Sequence, residues 1–504
     1  MKKFFKWFFV IVLIIVVLGI TAYFALNEFF FNNKDDDQTP PITPPESPTI
    51  LTLNQTISTD RLLIQWTSVN KANNYSVYVD GIFNVSSDDT QEEVLFLTNG
   101  TYQITVTAIN KSGESPHSAP VSIIVAIPPI SLGLIHIYVN STIYSTILSN
   151  ITQYKQEINI QGYKVNVINW SINNVTQLKN HIISNYSNGL IGAVLIGKLP
   201  YAQARYWDAS WSMYRYFSCD YYLMDLDGNW TDVNKNGYYD VGASDNHVEH
   251  NNGTADALPE IWVARISPYT ISKVGFNPIS SLSDFFYRDH KLRNGSTYRP
   301  HKGLLFIDDE WAAYEDDWKS IFTAYTGSNL TCEADCNYYG NDFTNATYFL
   351  SNISDVTHPT FTNYELVHVM AHCNGTEQQF GINGYQYPNY NADDGILTYN
   401  DIYMNGPQPL FFNLYSCFSA NLMIQNNIAT HYLFSGESLV VIGCARSGGM
   451  CLYEPFYDAL KDGKIFGQAF KEWFYGSEII TYHHWEEVYG MKLFGDPLLT
   501  VYMT

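Results

Sequence analysis

The sequence predicts an α/β protein of two subdomains, preceded by a small all-β sandwich and an N-terminal transmembrane helix. Three observations lead to this fold class. From about residue 130 onward, short apolar runs typical of buried strands alternate with helical segments. Residues 49–127 instead contain short alternating strands separated by turn residues. Near the N-terminus, residues 8–26 form an almost unbroken apolar run.

The apolar run near the N-terminus is long enough to cross a bilayer as a helix. Lys2, Lys3 and Lys6 precede it, which predicts a cytoplasmic N-terminus and places the rest of the chain outside the cell. A cleaved signal peptide is the alternative, although Ala22 and Ala25 form a poor cleavage site, and it would give a secreted protein. The predicted segments are a basic flank at 1–7, a single-pass anchor at 8–28 and a Pro/Asp-rich linker at 29–48.

Composition supports a large protein outside the cell. The chain has 504 residues, of which 46% are hydrophobic, and its 27 basic and 49 acidic residues give a formal charge of −22. No nucleic-acid partner is expected, because binding one requires a basic surface. Seven cysteines are compatible with one nucleophilic thiol and as many as three disulfides, and Cys332/Cys336 and Cys444/Cys451 are the nearest pairs. The chain is also rich in glycosylation sequons, at Asn54, Asn84, Asn99, Asn140, Asn174, Asn294, Asn345 and Asn352.

The all-β segment 49–127 has its clearest strands at 62–66, 75–79 and 101–108. Trp66 lies on an early strand, and Tyr102 occupies the position of a tyrosine corner. With these two residues the segment resembles a fibronectin type III module. The resemblance implies a β-sandwich and says little about any ligand. We expect this module to act as a spacer, and specific recognition of a partner is the alternative.

The segment from residue 128 onward divides into a subdomain at 128–300 and a second at 301–504. The first has predicted strands at 133–139, 163–170 and 190–196, with helices at 142–157 and 176–187. In the second, predicted strands lie at 303–307, 365–372, 409–417 and 438–443, and predicted helices at 316–325, 419–434 and 454–475.

Two of these strands end in side chains that can act together in catalysis. His372 ends one apolar run and Cys417 ends the next. Ligands of open α/β sheets bind at the carboxyl ends of strands, so His372 and Cys417 are expected to form a nucleophile–base pair. Cys417 would attack a peptide carbonyl and His372 would transfer the proton, while the backbone N–H groups of Cys417 and Cys373 would bind the oxyanion.

Residues 130–504 resemble the catalytic domain of gingipain-family cysteine peptidases, which have a caspase-like fold. The matching blocks occur in order: an aspartate-rich segment at 220–228, a strand at 258–266 that contains Arg265, the His372 and Cys417 strands, and Gly495-Asp496-Pro497. The resemblance implies a carboxylate that orients the histidine, and Glu260 is the candidate. It also implies protein or peptide substrates and no organic cofactor.

One position departs from the family pattern, which usually has Gly directly after the catalytic His. This chain has Cys373 there, which makes Cys373 a rival nucleophile with poor attack geometry. His368 is a rival base four residues earlier, and the two-residue alternation of a strand puts it on the same face. The departure supports an alternative function, an inactive peptidase homologue that binds peptides or a surface partner.

A second group of polar residues resembles the start of an EF-hand Ca²⁺ loop. Oxygen-bearing side chains stand at loop positions 1, 3, 5 and 9, as Asp232, Asn234, Asn236 and Asp240. The bidentate Glu of position 12 is missing, because residue 243 is Ala. Asp225, Asp227, Asp245 and Glu249 are candidates to complete the ligands. We therefore expect structural Ca²⁺, whereas a solvated polar turn remains the alternative. The sequence as a whole predicts a membrane-anchored extracellular cysteine endopeptidase.

Overall fold

The computed structural model describes residues 43–57, 59–96, 98–126, 132–209, 211–232, 234–241, 258–327, 329–334, 344–354, 363–381, 394–451, 453–476 and 488–501. The chain divides into two compact units between Ala126 and Ile127. The predicted anchor at 8–28 and most of the linker lie outside the described residues. Among the described residues, no helix is both long enough and apolar enough to span a bilayer.

The described strands of the first unit pair mainly in an antiparallel fashion, as short alternating segments favour. They are β1 (Gln55–Ile57), β2 (Arg61–Gln65), β3 (Asn74–Val79), β4 (Ile82–Ser87), β5 (Gln91–Leu95), β6 (Gly100–Asn110), β7 (Gly113–Glu114) and β8 (Val121–Val125). One sheet has the order β1-β8-β6-β3-β4, with β7 paired to β6, and β2 and β5 form a second sheet.

Aromatic side chains join the two sheets of the first unit. Trp66, after β2, lies 5.5 Å from the ring of Tyr75 in β3, and Phe96, after β5, lies 5.0 Å from the ring of Tyr102 in β6. The Tyr102 hydroxyl donates a hydrogen bond to the backbone carbonyl of Thr98 at 2.8 Å. This is the tyrosine corner predicted from the sequence, and the unit is a fibronectin type III-like β-sandwich.

The second unit is a mixed α/β structure. Its described strands are β9 (Leu134–Asn140), β10 (Lys164–Trp170), β11 (Leu190–Ile196), β12 (Ala202–Asp208), β13 (Met213–Cys219), β14 (Tyr239–Asp240), β15 (Trp262–Ile266), β16 (Gly303–Ile307), β17 (Leu330–Ala334), β18 (Leu366–Met370), β19 (His372–Cys373), β20 (Glu377–Gln379), β21 (Ile396–Thr398), β22 (Phe411–Tyr415), β23 (Val440–Cys444) and β24 (Met491–Gly495).

The described helices of the second unit alternate with these strands. They are α1 (Leu148–Ile160), α2 (Val175–Tyr186), α3 (Tyr221–Met224), α4 (Pro278–Arg293), α5 (Glu315–Thr326), α6 (Ala346–Ser354), α7 (Tyr399–Asn405), α8 (Ile428–Phe434), α9 (Glu454–Lys461) and α10 (Phe466–Phe474), with a 3₁₀ helix at Asp309–Tyr314.

A continuous sheet of ten described strands forms the centre of the second unit, in the order β10-β9-β11-β15-β24-β23-β22-β18-β16-β17. Every neighbouring pair is parallel except β23 and β24, which are antiparallel. The sheet therefore consists of two parallel blocks that run in opposite directions. We call β10, β9, β11, β15 and β24 the first block, and β23, β22, β18, β16 and β17 the second block.

The structure corrects two of the predicted helices. The predicted helix 454–475 is two helices, because Gly463 between α9 and α10 has φ +77°, which no helical residue adopts. The predicted helix 419–434 begins only at Ile428, where the side chain of Asn427 accepts a hydrogen bond from the N–H of Thr430 and caps α8. Turns occupy residues 419–427, including Asn426 with φ +58°.

Candidate active site

The two predicted catalytic residues follow neighbouring strands in register. In the parallel pair β18–β22, Met370 lies opposite Tyr415. His372 follows Met370 by two residues, and Cys417 follows Tyr415 by two residues. Ala371 and Ser416 just before them are 1% and 2% exposed, whereas His372 and Cys417 are partly exposed. The register thus brings a histidine and a cysteine together at the carboxyl edge of the second block, on its accessible side.

The loop after β23 contacts the Cys417 sulfur through a backbone N–H group. The N–H of Gly448 donates a hydrogen bond to the Cys417 Sγ at 3.2 Å. Directly after the cysteine, Phe418 has φ +58°, an uncommon conformation for a residue with a large side chain. The N–H of Phe418 donates to the carbonyl of Arg446 at 2.8 Å. A backbone donor of this loop therefore contacts the sulfur directly.

His372 packs against a tryptophan that was not identified from the sequence. The Trp311 ring lies 4.8 Å from the imidazole ring and 6.0 Å from the ring of Tyr415. Trp311 belongs to the 3₁₀ helix that follows β16, and β16 is the strand next to β18. The sequence signal was available: a second buried strand, 303–307, runs directly into a polar and aromatic segment at the same sheet edge.

The two rival residues have unsuitable surroundings. Burial raises the pKa of the Cys373 thiol to about 12, and its sulfur accepts a hydrogen bond from the N–H of Gly375 at 3.2 Å. Burial lowers the pKa of His368 to about 3, and its Nδ1 lies 2.8 Å from the hydroxyl of Tyr457 in the protein core. A buried neutral thiol and a buried neutral imidazole are poor choices for nucleophile and base.

Glu260 lies far from His372, which corrects its expected role as the carboxylate that orients the histidine. Glu260 precedes β15, and four strand spacings separate β15 from β18, roughly 19 Å at 4.8 Å per strand. Its carboxylate instead accepts a hydrogen bond from the N–H of Leu226 at 2.5 Å. The side-chain oxygens of Glu260, Asp225 and Asp227 all lie within 4.8 Å of one another.

The polar loop that begins at Asp232 has the backbone shape of a cation-binding loop. The Asp232 carboxylate accepts hydrogen bonds from the N–H groups of Asn236 and Gly237, at 3.1 and 2.7 Å. Asn234 Oδ1 accepts from the N–H of Asn236 at 3.3 Å, and φ is positive at Lys235 and Gly237. The side-chain oxygens at loop positions 1 and 3 therefore turn inward, as a bound cation would require.

Three expected Ca²⁺ ligands, Asp240, Asp225 and Asp227, have partners outside the loop. The Asp240 carboxylate forms an ion pair with Arg205 at 2.6 Å, so it departs from its expected position in the loop. Asp225 is fully buried and accepts hydrogen bonds from the N–H of Gly228 and the indole of Trp230, and burial raises its pKa to about 7. Asp225 and Asp227 thus belong with Glu260 in a separate carboxylate cluster. Asp245 and Glu249 lie outside the described residues.

A cavity of about 570 Å³ lies away from the cysteine and histidine. Its lining includes Asn174, Thr176, Lys198, Tyr201 and Asp232. Asn174 and Thr176 follow β10, and Lys198 and Tyr201 follow β11, so this part of the lining lies at the carboxyl edge of the first block. Because the two blocks run in opposite directions, that edge is the one opposite Cys417. The case for Cys417 and His372 therefore depends on strand register and not on cavity size.

No disulfide joins any two cysteines of the described residues, which include the near pair Cys444 and Cys451. Cys336 lies outside the described residues.

No protein-family model and no curated protein matches the chain. Solved fibronectin type III modules match a small part of it. Modules of Clostridium thermocellum CbhA are 20% identical, over 16% of this chain and 94% of theirs, with a TM-score of 0.14. A Fn3-like protein from Clostridium thermocellum is 19% identical, over 17% of this chain and 96% of its own, also with a TM-score of 0.14. The assignment of the first unit rests on its strand pairing and its tyrosine corner.

Proposed function

We propose that this protein is a cysteine endopeptidase that hydrolyses peptide bonds through Cys417 and His372. The observation that carries the proposal is the register of β18 and β22, after which both side chains are partly exposed at one sheet edge. A nucleophile and a base at neighbouring strand ends are the minimum that covalent catalysis needs. The resemblance to gingipain-family peptidases, with a caspase-like fold, supports the same reaction.

In the proposed reaction, the Cys417 sulfur bonds to the substrate carbonyl carbon while the thiol proton passes to His372. His372 then gives the proton to the leaving amine as the peptide bond breaks, leaving a thioester on Cys417. Water, deprotonated by His372, hydrolyses the thioester and regenerates the thiol. The backbone N–H groups of Cys417 and Cys373 are the proposed oxyanion donors, and Phe418 is not one of them because its N–H is bonded to Arg446.

Replacement of the nucleophile tests the proposal. We expect Cys417→Ala to abolish cleavage of a peptide library while its unfolding temperature stays close to that of the wild type. The matched control is Cys332→Ala, because burial raises the pKa of the Cys332 thiol to about 12 and it lies apart from the site. Hydrolysis that survives in folded Cys417→Ala would overturn the proposal. A wild-type protein that binds peptides but cleaves none would identify an inactive homologue.

We also propose that the enzyme is anchored in the membrane with its catalytic domain outside the cell. The apolar run at 8–26 and the lysines before it support this topology. The protein should then stay in the membrane fraction after a carbonate wash and begin near Met1. A soluble product that begins near Leu26 would instead show a cleaved signal peptide and a secreted enzyme.

We further propose that the Asp232 loop holds a structural Ca²⁺. Its inward-turned oxygens at Asp232 and Asn234, together with the Asn236 amide at loop position 5, provide hard oxygen ligands of the kind Ca²⁺ prefers. When bound, the ion would neutralise the loop's carboxylate and stabilise the fold. The ion has no proposed part in the chemical step.

A further inference from the structure

A chain of buried hydrogen bonds connects the backbone segments that carry His372 and Cys417. The hydroxyl of Ser416 donates to the carbonyl of Ala371 at 3.0 Å. The side-chain amide of Gln378 donates to the Ser416 hydroxyl at 3.1 Å, and the hydroxyl of Tyr432 donates to the Gln378 carbonyl oxygen at 2.7 Å. Tyr432 and Gln378 are completely buried, and Ser416 is 2% exposed.

These hydrogen bonds lie directly beneath the proposed catalytic pair of Cys417 and His372. Ser416 precedes Cys417 and Ala371 precedes His372, so the first hydrogen bond joins the two strand ends one residue before the reacting side chains. The backbone hydrogen bond between the two segments is long at this point, because the N–H of Ala371 lies 3.3 Å from the carbonyl oxygen of Tyr415. The Ser416–Ala371 bond therefore fixes the spacing of the strands where the ladder ends.

Gln378 extends the same support to the histidine side. It lies on β20, opposite Cys373 in the antiparallel pair β19–β20, and His372 lies opposite Gln379. The Gln378 amide thus contacts the cysteine strand while its backbone pairs with the histidine segment. Tyr432, on α8, holds the other end of the amide and fixes which way it points. Inside a dry core an unmatched polar atom costs about 1–3 kcal/mol, so this arrangement has few alternatives.

We propose that Ser416, Gln378 and Tyr432 are positioning residues that set the distance and orientation of Cys417 relative to His372. This inference rests on the proposed function of the dyad. Proton transfer between sulfur and imidazole requires hydrogen-bond distance, and a misplacement of about 1 Å reduces rates roughly 100-fold. Loss of these hydrogen bonds should therefore lower the rate of the chemical step and leave substrate binding largely unchanged.

Tyr432→Phe tests the inference with a minimal change, and Ser416→Ala provides a second variant. We expect kcat to fall roughly 10- to 100-fold with little change in KM. Cys417 should also react more slowly with iodoacetamide, with its pH midpoint moved upward, because a displaced His372 stabilises the thiolate less well. Alkylation is followed by mass spectrometry of the Cys417 peptide, so the result does not depend on hydrolysis.

Tyr457→Phe is the matched control. Its buried hydroxyl lies 2.8 Å from His368 and accepts a hydrogen bond from Asn413, so the substitution also removes one hydroxyl from a buried polar group next to β18 and β22. It should lower the unfolding temperature without changing kcat or the alkylation of Cys417. Tyr432→Phe and Ser416→Ala proteins that are folded and match the wild type in both readouts would overturn the inference. Hydrolysis that survives in Cys417→Ala would instead overturn the proposed function.

Discussion

His372 and Cys373 are adjacent in sequence but differ in environment, because successive side chains of a strand point to opposite faces. His372 is partly exposed, whereas Cys373 is buried and its thiol pKa is raised to about 12 by burial. Gingipain-family peptidases usually have glycine at the position of Cys373. This chain therefore has an additional buried side chain beneath the proposed site. Only the backbone N–H of Cys373 remains a candidate participant in the reaction.

Cys373→Gly should keep peptidase activity, because it removes a buried thiol and leaves the backbone N–H in place. It should also lower the free energy of unfolding by about 1–2 kcal/mol, through lost burial and the added flexibility of glycine. Peptide hydrolysis and thermal unfolding measure the two effects. Complete loss of activity in a folded variant would show that the Cys373 side chain takes part in catalysis.

At the residue scale, the sequence predicted the pair of His372 and Cys417 but not the residues around it. Apolar runs that end in His372 and Cys417 are visible in one dimension, since buried parallel strands have a simple composition. The Gly448 N–H and the Gln378 amide reach the site from elements that only the fold brings close. Glu260 was assigned wrongly for the same reason, because its distance from His372 depends on strand order.

At the element scale, local patterns identified most strands and misjudged the ends of helices. The strand 303–307 has the predicted limits, because its apolar run is bounded by Lys302 and Asp308. The prediction of a single helix at 454–475 overlooked Gly463, whose positive φ separates α9 from α10. Asn427 is a readable N-cap for α8, and giving it weight would have moved the start of that helix to Ile428.

The Asp232 loop leads to a prediction about metal removal. If it binds Ca²⁺, chelation should lower the unfolding temperature, because a ligand that binds only the folded state stabilises it. The value of kcat for remaining folded enzyme should change little. Asp232→Ala should abolish the effect of Ca²⁺ on unfolding, whereas Asp227→Ala, in the separate carboxylate cluster, should preserve it. Equal unfolding temperatures with and without Ca²⁺, in metal-stripped wild type, would refute a structural ion.

At the scale of the whole second unit, β24 joins the two parallel blocks. It comes last in sequence but lies between β15 and β23, parallel to one and antiparallel to the other. No local pattern encodes this position, since strand order is fixed by long-range packing. The sheet is therefore continuous across residue 300, where the sequence predicted two subdomains to meet.

The Gly-Asp-Pro segment after β24 supports this arrangement through Asp496, which is completely buried. Its carboxylate accepts hydrogen bonds from Arg293 of α4 and, at 2.5 Å, from the hydroxyl of Tyr154 of α1. Arg293 also pairs with Asp289 at 3.0 Å. A residue first noted as part of a family resemblance thus has a structural role, in tying the last strand to two helices.

Asp496→Ala should lower the free energy of unfolding of the second unit by about 3–5 kcal/mol, because it removes one partner of a buried ion pair and leaves the Arg293 charge poorly compensated. The control is Glu472→Gln, which breaks the partly exposed pair between Lys464 and Glu472, with side-chain exposures of 40% and 30%. That pair should contribute no more than about 1 kcal/mol. Denaturant unfolding followed by tryptophan fluorescence measures both variants. Similarly small decreases in the free energy of unfolding for both variants would mean that Asp496 does not stabilise the position of β24. The junction of the two blocks would then depend on the apolar packing of β24 alone.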